Sequence, residues 1–343
     1  MTRNTAKLGG SASNVVVAKV AHGLMMMTWK PTPVPDEEAF AAIKAGIDAL
    51  PPGVKMILNS GEFYGQGFTT ANLELIARFF EKYPAYTDRT FLSVKGGGVP
   101  LSLGVDGSRE NLRRSVDDIL KALRGTKRLD LFEPARRDSK YEIEHYAEVL
   151  NELVKEGKFD YIGLSEVGAE TIRRAHKVMP VAAVEIEVSL QAYEQQTKDV
   201  IATCKELGIP VVAYSPLGRG LLTGQIKSRL DFEEGDFRRA FGRFQDDNIN
   251  HNLKLVETLT AVANRKGITV AQLCIAWVGA LGDHVIPVPG SSNIKRTLEN
   301  LSAGDVELSA DDLAEIAQLL ETYPRKGARY VDGVAEDKLE LWN

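Results

Sequence analysis

Short runs rich in β-branched and aromatic residues alternate along this chain with longer stretches of helical period. Runs of the first kind are VAKVAHG (17–23), KMILN (55–59), RTFLSVK (89–95) and LDLF (129–132). YIGLS (161–165), AAVEIEVS (182–189), PVVAYS (210–215) and HVIPVPG (284–290) follow. Between them apolar residues recur every three or four positions over 36–50, 69–83, 108–124, 139–157, 168–178, 196–208, 251–267, 269–279 and 293–303. That spacing predicts amphipathic helices. Two of these stretches open on a capping residue followed by an acid, Ser108 before Glu110 and Asp36 before Glu37.

Eight strands separated by helices predict parallel β-α units, and eight such units predict a closed α/β (β/α)8 TIM barrel. The competing architecture, a doubly wound open sheet, would want a G-x-G-x-x-G turn after the first strand, and none stands there. Three parts depart from the alternation. Residues 1–16 are expected to cap the barrel floor as an extended segment or hairpin. Residues 216–250 form a connection after the seventh strand too long for a passive linker, which marks a ligand-covering loop. A capped helix, SADDLAEIAQLLETY, precedes an irregular tail over 324–343. The whole, 1–343, reads as one barrel domain.

The net charge is −5 with basic and acidic residues interspersed, which excludes a nucleic-acid footprint. Cys204 and Cys274 are too few for a disulfide framework and lack metal-ligand spacing, so no metal is expected. No apolar run reaches the roughly 20 residues needed to span a bilayer. The first residues lack the apolar core of a secretory signal, and a cytoplasmic setting, with the nucleoplasm open, is the expectation.

Chemistry concentrates where the strand runs end. ILNSGEFYGQG (57–67) places Tyr64 just beyond the second strand, and FLSVKGGG (91–98) places Lys95 at the end of the third. In a barrel both would converge on one mouth, where an ammonium stabilises a phenolate and lowers the tyrosine pKa.

With these residues the chain resembles the aldo-keto reductase superfamily over residues 16–325. The family's D-x-A/G-x-x-Y-G pattern is matched by Asn59, Gly61, Tyr64 and Gly65. The resemblance implies that Tyr64 is the general acid of carbonyl reduction, tuned by Lys95. The family's lysine-pairing aspartate is Asn59 here, so Lys95 is expected to act more strongly on Tyr64 or to pair with another acid such as Glu62. The family's histidine falls at Ala135, leaving Glu133 or Arg136 to orient the carbonyl.

VVAYSPLGRGLLTG (211–224) is similar to the family's seventh-strand motif. The resemblance implies that Tyr214 stacks on a nicotinamide and that Ser215, Leu217, Gly218 and Gly220 line the pyrophosphate, with Arg219 as charge partner. IPVPGSSNIKRTLEN (286–300) resembles the eighth-strand motif, with Ser291, Ser292 and Asn293 at a helix N-terminus. Arg296 would meet a 2′-phosphate, while Glu299 and Asn300 match adenine-contacting positions. NADP(H) is therefore expected as cofactor. Ser165, with Glu166 replacing an asparagine, and Glu185, replacing a glutamine, match the positions that hold the carboxamide. Gly23, Leu24 and Met25 would lie beside the cofactor.

LNSGEFYG, DLFEPAR, IGLSEV and KGARY (326–330) together resemble the fungal pyridoxal reductases. A flat hydroxylated pyridine aldehyde wants aromatic walls, for which Trp29 and Phe63 stand ready, and polar partners, for which Glu133 and Arg136 do. FRRAFGRF (237–244) would close over the mouth. Two alternatives stay open. One is reduction of other aldehydes, ketones or quinones. The other is an NADP(H)-binding regulatory subunit like the potassium-channel β-subunits.

Overall fold

The computed structural model describes residues 4–102, 104–332 and 339–343. Eight parallel strands run in chain order around a barrel: β3 (His22–Gly23), β4 (Met56–Gly61), β5 (Thr90–Gly96), β6 (Leu131–Pro134), β7 (Tyr161–Ser165), β8 (Val181–Glu187), β9 (Val211–Tyr214) and β10 (Val285–Val288). Two backbone bonds join the first strand to the last, from Ala21 N–H to the Pro287 carbonyl at 2.9 Å and from Gly23 N–H to Pro289 at 3.1 Å. The expected first strand, 17–23, is corrected. Its front half, β2 (Val16–Ala18), pairs antiparallel with β1 (Thr5–Lys7) in a hairpin. Only His22 and Gly23 remain for the barrel, because Val17 faces its floor with Ala6 and Leu8.

Helices occupy the expected stretches, from Asp36–Asp48 through Ala310–Thr322. Ser108 caps Arg109–Leu123 by accepting from Asn111 N–H at 3.2 Å. Asp36 does not cap. It lies inside its helix and takes Arg78 in a two-pronged ion pair at 2.6 and 2.8 Å. The long helix before the last β-α unit, Asp246–Lys266, starts five residues earlier than its apolar period implied.

Alternation along the strands decides what the barrel holds. Residues facing helices, such as Leu58, Phe132, Val184 and Ile186, join the large outer core. Residues facing inward begin apolar: Ile57, Phe91, Leu131, Ala183 and Val212 close the floor over the hairpin. Two residues further up each strand the same face turns polar, to Asn59, Ser93, Glu133, Glu185 and Tyr214. A further step reaches Lys95 and Glu187. The mouth at the strands' C-terminal ends is thus built by a period of two, above a dry floor.

The connection after β9 folds into four short turns, Gly218–Thr223, Arg229–Asp231, Phe237–Ala240 and Gly242–Phe244. The tail lies against it: Gly242 N–H donates to the Tyr330 carbonyl at 3.0 Å, and Phe241 pairs with Val331. Gly327 makes this approach possible, since its φ is +85° and a Cβ there would stand 2.4 Å from the Gly242 carbonyl carbon. Farther on, Trp342 N–H donates to the Glu166 carbonyl at 2.8 Å.

Candidate active site

Lys95 stands near the end of β5 in register with Gly61 of β4 and Glu133 of β6. Its ammonium is held on the Glu185 carboxylate, donates to Asn59 Oδ1 at 3.2 Å and lies 3.6 Å from Glu133. The Asn59 amide in turn donates to the other Glu185 oxygen at 2.6 Å. Burial would push the ammonium down, but Glu185, Tyr64 and Glu133 together raise it above its ordinary range. Glu133 moves the other way from a free carboxylate. Burial and then the charge of Glu185 raise it well above the usual carboxylate range, while Lys95 pulls it back.

Lys95 does pair with another acid, as one of the two expectations had it, but the acid is Glu185 and not Glu62. Glu185 supplies the negative charge that Asn59 lacks, so the ammonium is not left for Tyr64 alone. Glu62 is no partner either; it binds Arg114 at 2.6 Å and accepts from Ser115 at 2.5 Å. Both oxygens of Glu185 are engaged with Lys95 and Asn59 rather than turned to a carboxamide.

Tyr64 is buried, with Lys95 Nζ 5.9 Å from its ring centre. Desolvation raises its phenol above the ordinary value. Lys95 pulls it back and Glu185 and Glu133 push with the burial, so the net direction is upward, against the expected lowering. Trp29 lies 5.6 Å from the Tyr64 ring and 6.0 Å from Phe63, and Phe237 of the long connection closes on Trp29 at 5.4 Å. The expected wall residues thus gather around Tyr64 and are joined by one aromatic of FRRAFGRF.

Across Lys95, 6.0 Å from its ammonium, lies the ring of Tyr214. Around it stands a cluster that the sequence reading missed. Arg329 enters from the tail and donates to Glu187 at 2.8 Å, Glu166 at 2.6 Å and the Tyr214 hydroxyl at 3.0 Å. Glu187 also accepts from Arg219 and Arg243, each at 3.2 Å. Burial would raise the Glu187 carboxyl, but Arg219, Arg243 and Arg329 hold it far below the carboxylate range. Glu166 is fully buried at φ +57°, a strained conformation for a side-chain-bearing residue, kept in place by Arg329 and by the tail's Trp342. Arg136 reaches the same cluster, donating to the Tyr330 hydroxyl at 2.9 Å, and that hydroxyl lies 3.1 Å from the Tyr214 hydroxyl. One signal for Glu187 was present: in VEIEVS it shares an inward face with Glu185. Nothing in the tail's sequence announced where Arg329 and Tyr330 would land.

A nicotinamide dinucleotide fits part of this mouth by a direct test. Ser165 Oγ and both amide atoms of Gln191 are buried without a partner among the described residues, beneath or beside the turn after β9. Such atoms ask for a polar ligand. Other expected contacts lie differently. Gly218 and Gly220 donate their N–H groups to Ser215 and Leu217 within their own turn, at 2.9 and 3.0 Å. Ser215 and Arg219 take positive φ there, +53° and +60°. Arg219 is committed to Glu187 and stacks on Phe241 and Tyr330. Ser291 turns inward to His22 and Thr297, while Asn293 caps helix Ile294–Ser302. Ser292 is half-buried beside them, and the exposed Arg296 guanidinium donates to Gln225 at 3.4 Å. Glu299 accepts from Thr269, and Asn300 donates to the Gly290 carbonyl at 3.5 Å. Gly23 lies on the seam of β3 and β10. Leu24 packs wholly into the outer core, and Met25 opens a short helix to Thr28.

A buried tyrosine and lysine at the C-terminal mouth of a parallel barrel, beside orphaned polar atoms, stand where barrel enzymes carry their active sites. The chain belongs to the aldo/keto reductase family, whose model matches residues 19–321. "Probable pyridoxal reductase 2" of Schizosaccharomyces pombe is 38% identical over 92% of this chain and 95% of its own. A Saccharomyces cerevisiae relative, likewise provisionally named a pyridoxal reductase, is 36% identical over 93% and 97%. Among solved structures, a glycerol dehydrogenase from Gluconobacter oxydans superposes with a TM-score of 0.78 at 22% identity, covering 98% of this chain and 99% of its own.

Proposed function

We propose that this oxidoreductase reduces an aldehyde to an alcohol with NADPH, and that pyridoxal is the aldehyde. The observation that carries the reading is the convergence of Tyr64, Lys95 and the Trp29–Phe63–Phe237 wall on one mouth. The dinucleotide supplies hydride. Tyr64 gives its proton to the carbonyl oxygen; burial holds the phenol above its ordinary range and so keeps it protonated, and Lys95 is the group that acts to lower it. Lys95 stabilises the tyrosinate left behind, and Glu185 with Asn59 fixes the ammonium for that task. The aromatic wall lines the space where a flat ring lies and excludes water from the reacting oxygen. When the cofactor is bound, Tyr214, Ser165 and Gln191 would hold its nicotinamide, and Arg296 would meet its 2′-phosphate. The two yeast relatives support the choice of pyridoxal by their names.

The test is NADPH oxidation followed by absorbance with pyridoxal beside simple aldehydes and quinones. Preference for pyridoxal supports the reading; NADPH binding without turnover of any carbonyl would replace it with a cofactor-binding role.

A further inference from the structure

Four guanidiniums, those of Arg136, Arg219, Arg243 and Arg329, share the Tyr214 side of the mouth with two carboxylates, Glu166 and Glu187. The charges do not cancel. Arg243 and Arg219 are bound to Glu187, and Arg329 bridges both acids. Arg136 is left over: its partners are its neighbour's carbonyl, at 2.5 Å, and the Tyr330 hydroxyl, and no carboxylate of the described residues lies within 4.0 Å of it. Arg329 also keeps a buried donor in hand, since its Nη1 has no acceptor among the described residues although the side chain is only 4% exposed. A half-buried cation without a counter-ion is costly, and a low-dielectric cleft of one sign concentrates ligands of the other.

The place of this surplus is specific. Tyr64 and Tyr214 flank Lys95 at 5.9 and 6.0 Å from ring centre to ammonium. The Tyr330 hydroxyl is one hydrogen bond beyond Tyr214, and Arg136 one beyond that. Two hydrogen bonds, through the Tyr214 and Tyr330 hydroxyls, thus lead from the ring beside Lys95 to Arg136. We propose that Arg136, Arg329 and Tyr330 form a subsite for an anionic oxygen, phenolate or carboxylate, borne on the same aromatic ring as the reacting aldehyde. The proposal rests on the reductase reading above and narrows its substrate to ring aldehydes with an acidic oxygen. Tyr330 supports it independently. Burial would lift its phenol, yet Arg136, Arg329 and Arg219 hold it below the ordinary range, as they would any phenolate beside it.

The experiment compares 4-pyridinecarboxaldehyde with its 3-hydroxy derivative as substrates of the whole chain, and measures NADPH affinity by fluorescence. One charge-assisted contact predicts at least about a tenfold preference in kcat/KM for the hydroxylated aldehyde. Arg136→Leu should collapse that ratio toward one, Tyr330→Phe should reduce it, and Arg136→Lys should keep part of it. A wild-type protein that reduces both aldehydes equally overturns the subsite while leaving the reductase reading intact, as does a ratio that survives both substitutions. If Arg136→Leu fails to fold, Tyr330→Phe and the wild-type ratio still decide. Loss of NADPH affinity in Arg136→Leu with the ratio unchanged would give the charge to a cofactor phosphate instead. Reduction of neither aldehyde would overturn both readings together.

Discussion

Glu185 on β8 and Asn59 on β4 are joined across the barrel by a 2.6 Å hydrogen bond, and both also hold Lys95. The three side chains form a closed triangle in which one carboxylate and one amide share an ammonium. Charge at either corner would serve, provided only one corner is charged.

Glu185→Gln should therefore lower kcat by about a hundredfold and, by leaving the buried ammonium with Glu133 as its remaining carboxylate, destabilise the fold by about 2 kcal/mol. Asn59→Asp alone crowds a further carboxylate onto the same lysine. The exchange Asn59→Asp with Glu185→Gln should recover most of both losses. Urea melts and NADPH oxidation of the four proteins measure the coupling. A double variant no better than its worse parent would show that the two corners act separately.

Tyr64→Phe removes the proton donor and leaves the barrel's packing in place. Carbonyl reduction should fall at least about a hundredfold while NADPH fluorescence titration changes little. Because the Tyr64 proton is held above the ordinary phenol range, wild-type kcat/KM for reduction should stay level from neutral pH through pH 9. A decline centred below pH 9 that vanishes with this tyrosine would contradict the direction of its shift.

Arg296 is exposed, and its guanidinium donates to Gln225 at 3.4 Å. Arg296→Ala should leave stability nearly unchanged and weaken NADPH by about tenfold more than NADH, the worth of one charge-assisted phosphate contact. Equal losses for the two nucleotides would remove Arg296 from the 2′-phosphate.

Arg329→Leu should cost about 3 kcal/mol, since it strips the buried Glu166 of the guanidinium that holds it. The same contact makes the tail sensitive to acid. Glu166 and Glu187 are held below the carboxylate range, so their contribution is complete above the unfolded value of about 4.3 and is lost as pH falls beneath it. Proteolysis of the tail should accelerate below pH 4 in the wild type. Equal rates at pH 3 and pH 7 would mean that the carboxylates do not anchor it.

The barrel was legible because its signal is periodic. Strand runs and helical stretches recur, and the inward alternation of VEIEVS or LFEP can be read letter by letter. The nearness of Tyr64 to Lys95 was legible because Lys95 stands near the end of one strand and Tyr64 just beyond the end of its neighbour. The partner of Lys95 was not, because Glu185 lies 90 residues away and a sequence does not say which of several inward acids reaches an ammonium. The first strand was misjudged for a related reason. Val16–Ala18 has the same alternation whether it pairs with the barrel or with the N-terminal strand, and only three-dimensional pairing decides. Arg329 and Tyr330 were hidden most deeply, since an irregular tail carries no period at all.

That tail has a consequence in time as well as in space. Synthesis proceeds from the hairpin beneath the barrel toward residue 343, and all eight strands are made before Arg329 and Trp342 exist. A nascent chain can close its barrel and bury its floor while Glu166 still waits for its guanidinium and its Trp342 contact. The Tyr214 side of the mouth is finished last, so a chain still lacking Arg329 would have the barrel without that cluster.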